Sequence, residues 1–166
     1  MPLRPVHIIY PVPHLKWIVR LASDEKTILS RRRSPKRGRV EDVFNELVRI
    51  PFAFQFPNFS LEVLLIEAEE WWIDDQKGSW RRKGWSVYDH RLIEVQHAHH
   101  FSTAEQLLTL LPPVPEIFTS ADVATSGKLK RRLAQRMLYC FKALGLINEV
   151  GKRGRAICYT TSAPPE

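Results

Sequence analysis

Phe118-Thr-Ser-Ala-Asp-Val-Ala-Thr-Ser-Gly127, then Lys128 to Ile147, then Asn148 to Thr161, is the stretch on which the reading of this chain turns. Thr119 stands three residues before Asp122, the spacing of a capping box, so a short helix is predicted to open there. Val123 and Ala124 face inward, and Thr125-Ser126-Gly127 supplies turn chemistry, with the glycine free to take positive φ. The next helix is predicted over 128–144. At about 100° per residue, Leu129, Leu133, Ala134, Met137, Leu138, Cys140, Phe141 and Leu144 fall on one half of it. Lys128, Arg131, Arg132, Gln135, Arg136, Tyr139 and Lys142 fall on the other. Gly145 ends the helix. Residues 148–160 then alternate as a two-stranded wing that turns at Gly151-Lys152-Arg153-Gly154 and returns through Arg155. The order of elements predicts a winged helix-turn-helix.

Charge placement points the same way. Residues 127–155 hold nine Lys or Arg and one acid, Glu149, a net of +8, whereas the whole chain is +7. The excess is therefore local, as a polyanion-binding face requires. Candidate DNA contacts are Lys128, Arg131, Arg132, Gln135, Arg136, Tyr139 and Lys142 on the helix, with Lys152, Arg153 and Arg155 on the wing. The competing reading is a solvated cationic face that docks on an acidic protein, making the region a protein–protein interaction module.

At 166 residues the chain has room for one domain or two small ones, and 44% hydrophobic with 26% charged residues is an ordinary globular composition. No apolar run approaches the roughly 20 residues that span a bilayer, so no membrane partner is expected. The N-terminal apolar residues are interrupted by His7, Pro11, Pro13 and His14, unlike a signal peptide. Cys140 and Cys158 do not make a disulfide framework and read as buried thiols of a reducing cytoplasm.

Upstream, Val6 to Val12 and Leu15 to Leu21 read as two strands, with Thr27 to Ser30 as a short third. Seven basic residues and no acid lie between Lys26 and Arg39. The loop bearing Arg33, Lys36, Arg37 and Arg39 is either a solvated loop or a phosphate-contacting arm. Val40 to Ile50 has helical periodicity, stopped by Pro51. Leu61 to Glu67 reads as a central strand. Glu67, Glu69, Glu70, Asp74 and Asp75 surround Trp71 and Trp72; carboxylates so clustered suit Mg²⁺, but the favoured reading is solvated acids that pair with the basic Lys77–Lys83 segment. Trp and Arg interleave in Lys77-Gly-Ser-Trp-Arg-Arg-Lys-Gly-Trp85, either to stack on bases or to cap a sheet edge. Arg91 to Gln96 is a strand or a short helix. His97, His99 and His100 have neither a helical nor a finger-type metal spacing. Ser102-Thr-Ala-Glu105 is a capping box that opens a helix through Leu111, the first of three in a domain starting near residue 98, and Pro112-Pro113-Val-Pro115 follows as a stiff connection.

Five stretches carry a resemblance: Arg33-Ser-Pro-Lys-Arg-Gly38, Asn58-Phe-Ser-Leu-Glu-Val-Leu-Leu65, Gly78-Ser-Trp-Arg-Arg-Lys-Gly-Trp85, Leu133-Ala-Gln-Arg-Met-Leu-Tyr-Cys140 and Val150-Gly-Lys-Arg-Gly-Arg155. Together they resemble a bacterial family whose longer members pair a restriction-endonuclease-like nuclease core with a C-terminal winged helix. In those members an Asp and then a Glu-x-Gln on adjacent strands precede the segment that begins here at Val6-His-Ile-Ile-Tyr-Pro11. The resemblance therefore assigns no catalytic residue to this chain, and a second chain supplying the nuclease-like core is the alternative it leaves open.

The resulting expectation is an α+β chain. A small mixed α/β N-terminal part at 1–97, the remnant of a nuclease-like core, precedes a winged helix-turn-helix at 98–162 and a disordered tail at 163–166. It is expected to bind double-stranded DNA in the cytoplasm without metal, cofactor or catalysis of its own. The alternative is the DNA-targeting part of a split or truncated nuclease.

Overall fold

Alternation outlasts the prolines at the start of the chain. In the computed structural model, which describes residues 4–78, 80 and 83–161, the two predicted N-terminal strands are one, β1, Val6–Leu21. The reason lies in what flanks them. The next strand, β2 (Ile28–Arg33), pairs antiparallel only with Trp17 to Leu21. The β1 flank at Pro11 and Pro13 thus needs no donor for β2, and proline's fixed φ suits an extended backbone there. β3 (Phe59–Asp74) and β4 (Trp85–Phe101) complete a four-stranded sheet in the order β2-β1-β3-β4. Contacts rise together along β1 and β3, His7 meeting Ser60 and Lys16 meeting Glu70, so these two strands run in the same direction.

Helix is scarce. Val40 to Ile50 yields a 3₁₀ turn at Val40–Val43 and a single α-turn, α1 (Phe44–Leu47). The helix expected at 103–111 is likewise one α-turn, α2 (Ala104–Leu107), running into a 3₁₀ turn at Leu108–Leu110. Pro112 bars the α conformation at Leu111, which leaves too few residues for a self-supporting helix. Its capping box also sits one residue later than read, with Thr103 as N-cap and Gln106 as its partner. Then come α3 (Ser120–Ser126), α4 (Arg131–Ala143) and a hairpin of β5 (Asn148–Arg153) and β6 (Ala156–Thr160).

The expected fold class does not hold. The structure is 43% strand and 25% helix, a sheet-rich fold rather than a mixed α/β part followed by a helical domain, so the C-terminal winged helix-turn-helix is not supported. The periodicity of residues 40–50 and 103–111 was helical, but each yields one α-turn joined to a 3₁₀ turn. The alternation of residues 6–21, 59–74 and 85–101 instead sustained strands of 16, 16 and 17 residues.

The chain forms two compact units: Met1–Tyr10, Val40–Val63 and His99–Glu166 make one, and Pro11–Arg39 with Leu64–Ala98 make the other. In the first, α1 packs on α4 with Phe44 and Phe141 edge to face, ring centroids 5.3 Å apart, and both side chains fully buried. Phe118 is buried and exchanges two backbone hydrogen bonds with Tyr159 of β6, which sets the entry to α3. Cys140 and Cys158 are free and buried, and burial pushes the Cys140 thiol up to about 12.

In the second unit, the acidic run lies on β3, where successive side chains point to opposite faces. Glu67 accepts from the Trp17 indole, and Glu69 accepts from Arg31 and Trp71. On the other face Glu70 accepts from Lys16 and Trp72. Sequence adjacency suggested a metal cluster or a pairing with Lys77–Lys83; pleating splits the run between two faces, β1 and β2 supply partners to Glu67, Glu69 and Glu70, and Asp75 accepts from the Lys77 N–H at 3.0 Å and the Ser86 hydroxyl at 2.7 Å. Among the described residues no group of three or more His, Cys, Asp or Glu is placed to hold a metal, and no helix is long and apolar enough to cross a membrane. Ser79, Arg81 and Arg82 of the Trp-Arg stretch and the tail at 163–166 lie outside the described residues.

Candidate nucleic-acid interface

α4 is organised by burial. Leu133, Ala134, Met137, Leu138, Cys140 and Phe141 are buried, while Arg131, Arg132, Gln135, Tyr139 and Lys142 are exposed. The approach to it from α3 is set by two caps. Thr119 opens α3, its N–H and hydroxyl both donating to Asp122 Oδ2, at 2.8 and 2.9 Å. At the other end Leu129 N–H donates to the Ala124 carbonyl and Lys128 N–H to that of Thr125, the double closure of a Schellman turn. The residue with positive φ is Lys128, at +50°, and not Gly127. Gly127 sits in a tight space: a Cβ there would stand 3.1 Å from Leu129, Pro112 and the Val123 carbonyl, so these neighbours would have to give by a few tenths of an ångström.

The hairpin also differs from its sequence reading. Lys152 and Arg153 are strand residues opposite Ile157 and Ala156, and the turn is Gly154-Arg155. Gly154 has φ +63°, as a primed two-residue turn demands at its first position. A bulge between Glu149 and Gly151 accounts for the displaced turn.

Not every expected contact residue is available. Arg136 is half-buried and donates to Asn45 Oδ1 of α1, so it helps hold α1 against α4. Lys142 pairs with Glu149 at 2.6 Å, which raises its pKa. Arg153 stands 3.6 Å from Asp122. The Thr119 N–H and hydroxyl, with smaller contributions from the Arg153 and Arg131 guanidiniums, hold Asp122 below the ordinary carboxylate range. Arg132, Lys152 and Arg155 are exposed and have no ion-pair partner among the described residues. Arg131, Gln135 and Arg155 converge, with Ser120 and Tyr159, on a cavity of about 200 Å³ between α4 and the hairpin. Ser120 and Tyr159 were not singled out from sequence, since only the pairing of Tyr159 with Phe118 brings them there.

The basic loop belongs to the other unit. Its first members, Arg31 to Arg33, are β2 residues, and the loop is pinned where Gly38 N–H donates to the Pro13 carbonyl and His14 Nδ1 donates to the Gly38 carbonyl. Gly38 is buried, and a Cβ there would meet Val12 at 2.5 Å. Arg33, Lys36 and Arg37 remain exposed, as does Arg39, which makes an interaction of its own.

The chain belongs to the family described as Domain of unknown function (DUF8091), which matches residues 1–102. It is 31% identical over 166 residues to an uncharacterized protein of Treponema pallidum (strain Nichols). That match covers 99% of this chain and 64% of the relative, so the chain spans about two thirds of the relative's length. No solved structure matches it.

Proposed function

We propose that this chain binds double-stranded DNA in the cytoplasm, without catalysis of its own, through the cationic surface formed by α4 and the β5–β6 hairpin. One observation carries the reading: Arg132, Lys152 and Arg155 stand exposed on adjoining elements with no carboxylate partner among the described residues. Unneutralised cations of this kind are attracted to a line of phosphates and release condensed counterions on binding. Arg132 and Lys152 serve as phosphate contacts, Tyr139 and Lys142 flank them, and Arg136 supports α4 through Asn45. The Arg33–Arg39 loop adds phosphate contacts of its own. A face that touches phosphates positions the protein but does not read sequence.

The test is anisotropy of a labelled random duplex titrated at graded KCl. Three to five phosphate contacts predict a loss of roughly a hundredfold in affinity between 50 and 200 mM salt. Binding that is indifferent to salt, or equal in wild type and Arg132→Ala/Lys152→Ala, defeats the proposal and favours docking on a protein.

A second reading, that chains of this kind deliver a nuclease-like core to DNA, is supported by the resemblance and by the greater length of the Treponema relative. Plasmid cleavage by that full-length relative with Mg²⁺ tests it, and an intact plasmid removes it.

A further inference from the structure

We propose that the cavity between α4 and the hairpin seats one phosphate group, which makes Arg131, Gln135 and Arg155 phosphate ligands rather than base readers. The inference rests on the nucleic-acid reading only for the source of that phosphate.

The lining chemistry carries it. The cavity is about 200 Å³ in volume, and its polar side chains are Arg131, Arg155, Gln135, Ser120 and Tyr159. All five can donate hydrogen bonds: two guanidiniums, one carboxamide and two hydroxyls. No carboxylate lines it. Two guanidiniums around one cavity repel each other, and an oxyanion between them turns that repulsion into attraction. Asp122, whose carboxyl the Thr119 hydrogen bonds and, less, the Arg153 and Arg131 charges hold low, is not in the lining, and its Oδ2 already accepts from the Thr119 N–H and hydroxyl. Leu138 and Ile157 supply apolar wall, which lowers the local dielectric and strengthens the charged hydrogen bonds. A tetrahedral oxyanion with several non-bridging oxygens uses donors that converge from three elements; a planar base edge, which must be met in one plane, does not. The two nucleic-acid sources with this chemistry are a terminal phosphate monoester and an internal phosphodiester.

The test follows the Gln135 carboxamide and arginine Nε signals of the full chain by ¹H–¹⁵N NMR during titration with inorganic phosphate. Saturable shifts are expected that chloride at equal ionic strength does not reproduce. Affinity should fall about tenfold in Arg155→Ala, which removes charge-assisted hydrogen bonds, and stay unchanged in Arg91→Ala, a cation of the other unit paired with Asp89. Arg155 lies in an exposed turn, so the variant folds, and its thermal melt checks that. Duplexes with 5′-phosphate and with 5′-hydroxyl ends separate the sources: stronger shifts from phosphorylated ends assign the monoester, and equal shifts assign the diester. If phosphate gives no saturable shift while DNA still binds through Arg132 and Lys152, the cavity assignment is wrong and the nucleic-acid reading stands. If phosphate saturates the cavity but no duplex binds, the assignment stands and the nucleic-acid reading falls.

Discussion

Lys16, Arg31 and Arg91 lie along the strands of one unit, and each is answered. Lys16 meets Glu70 and Arg31 meets Glu69, both at 2.8 Å, and the Arg31 guanidinium also lies 4.0 Å above the Trp17 ring. Arg91 meets Asp89 at 3.0 Å and stacks 3.8 Å from Trp71. In the other unit Arg132, Lys152 and Arg155 are exposed on α4 and the hairpin with no such partner among the described residues. Strand pleating explains the first pattern, since it sets acids, indoles and cations of neighbouring strands face to face. The second arises because residues 127–155 contain a single acid, Glu149, and Lys142 occupies it. A basic residue therefore reads as a binding residue only once its neighbours across the sheet or hairpin are known.

The largest effect is expected from the core. Phe141→Ala removes a fully buried ring that meets Phe44 edge to face, and should cost about 3–5 kcal/mol. All five tryptophans, at 17, 71, 72, 80 and 85, belong to the other unit, so their fluorescence reports that unit alone. Because β1, β3 and β4 run through both units, fluorescence and far-UV circular dichroism are expected to shift to the same lower urea midpoint. A fluorescence midpoint left at its wild-type value means that the units unfold separately.

Charge removal comes next. Arg132→Ala/Lys152→Ala should weaken duplex binding roughly 10–100-fold at low salt, and Lys36→Ala/Arg37→Ala roughly threefold. Lys16→Ala/Arg31→Ala, which removes answered cations, should leave affinity nearly unchanged. If the Lys16/Arg31 variant loses as much as the Arg132/Lys152 one, the distinction between answered and unanswered cations has no bearing on binding.

Acid titration probes the answered side. Desolvation pushes Glu70 up, but hydrogen bonds from Lys16 and Trp72, with the charges of Lys16 and His90, outweigh it and leave its pKa lowered. A carboxyl lowered on folding contributes stability that is present above its unfolded pKa and is lost as pH falls through the folded one. The pair is worth on the order of 1 kcal/mol. Melting followed from neutral pH down through the glutamate range should show this loss in wild type and less of it in Glu70→Gln. Parallel curves remove Glu70 as a contributor.

What sequence could and could not show follows from the range of each interaction. The Thr119–Asp122 cap and the buried stripe of α4 are local, and periodicity or spacing displayed them. Arg136 looked like its neighbours on the wheel because its partner, Asn45, is 91 residues away. The partners that Glu67, Glu69 and Glu70 find on β1 and β2 lie 50, 38 and 54 residues upstream, beyond any spacing rule. Helical periodicity misled at 40–50 and 103–111, where each segment yields only one α-turn, and the hairpin turn moved because a bulge near Val150 is invisible in an alternation pattern.

The smallest effect lies at the entrance to the candidate interface. Lys128 holds φ at +50° to close the Schellman turn between α3 and α4. An L-residue in that region costs roughly 1–2 kcal/mol, whereas glycine occupies it freely but gives back about 0.5–1 kcal/mol in unfolded-chain entropy. Lys128→Gly should therefore raise stability by about 0.5 kcal/mol while removing one cation beside α4. Lys128→Gln removes the same charge and keeps the strain. Binding lost equally in both, with stability gained only in the glycine variant, assigns the effect on DNA to charge; binding lost only with glycine means that the rigidity of the α3–α4 turn, and not its charge, governs how α4 is presented.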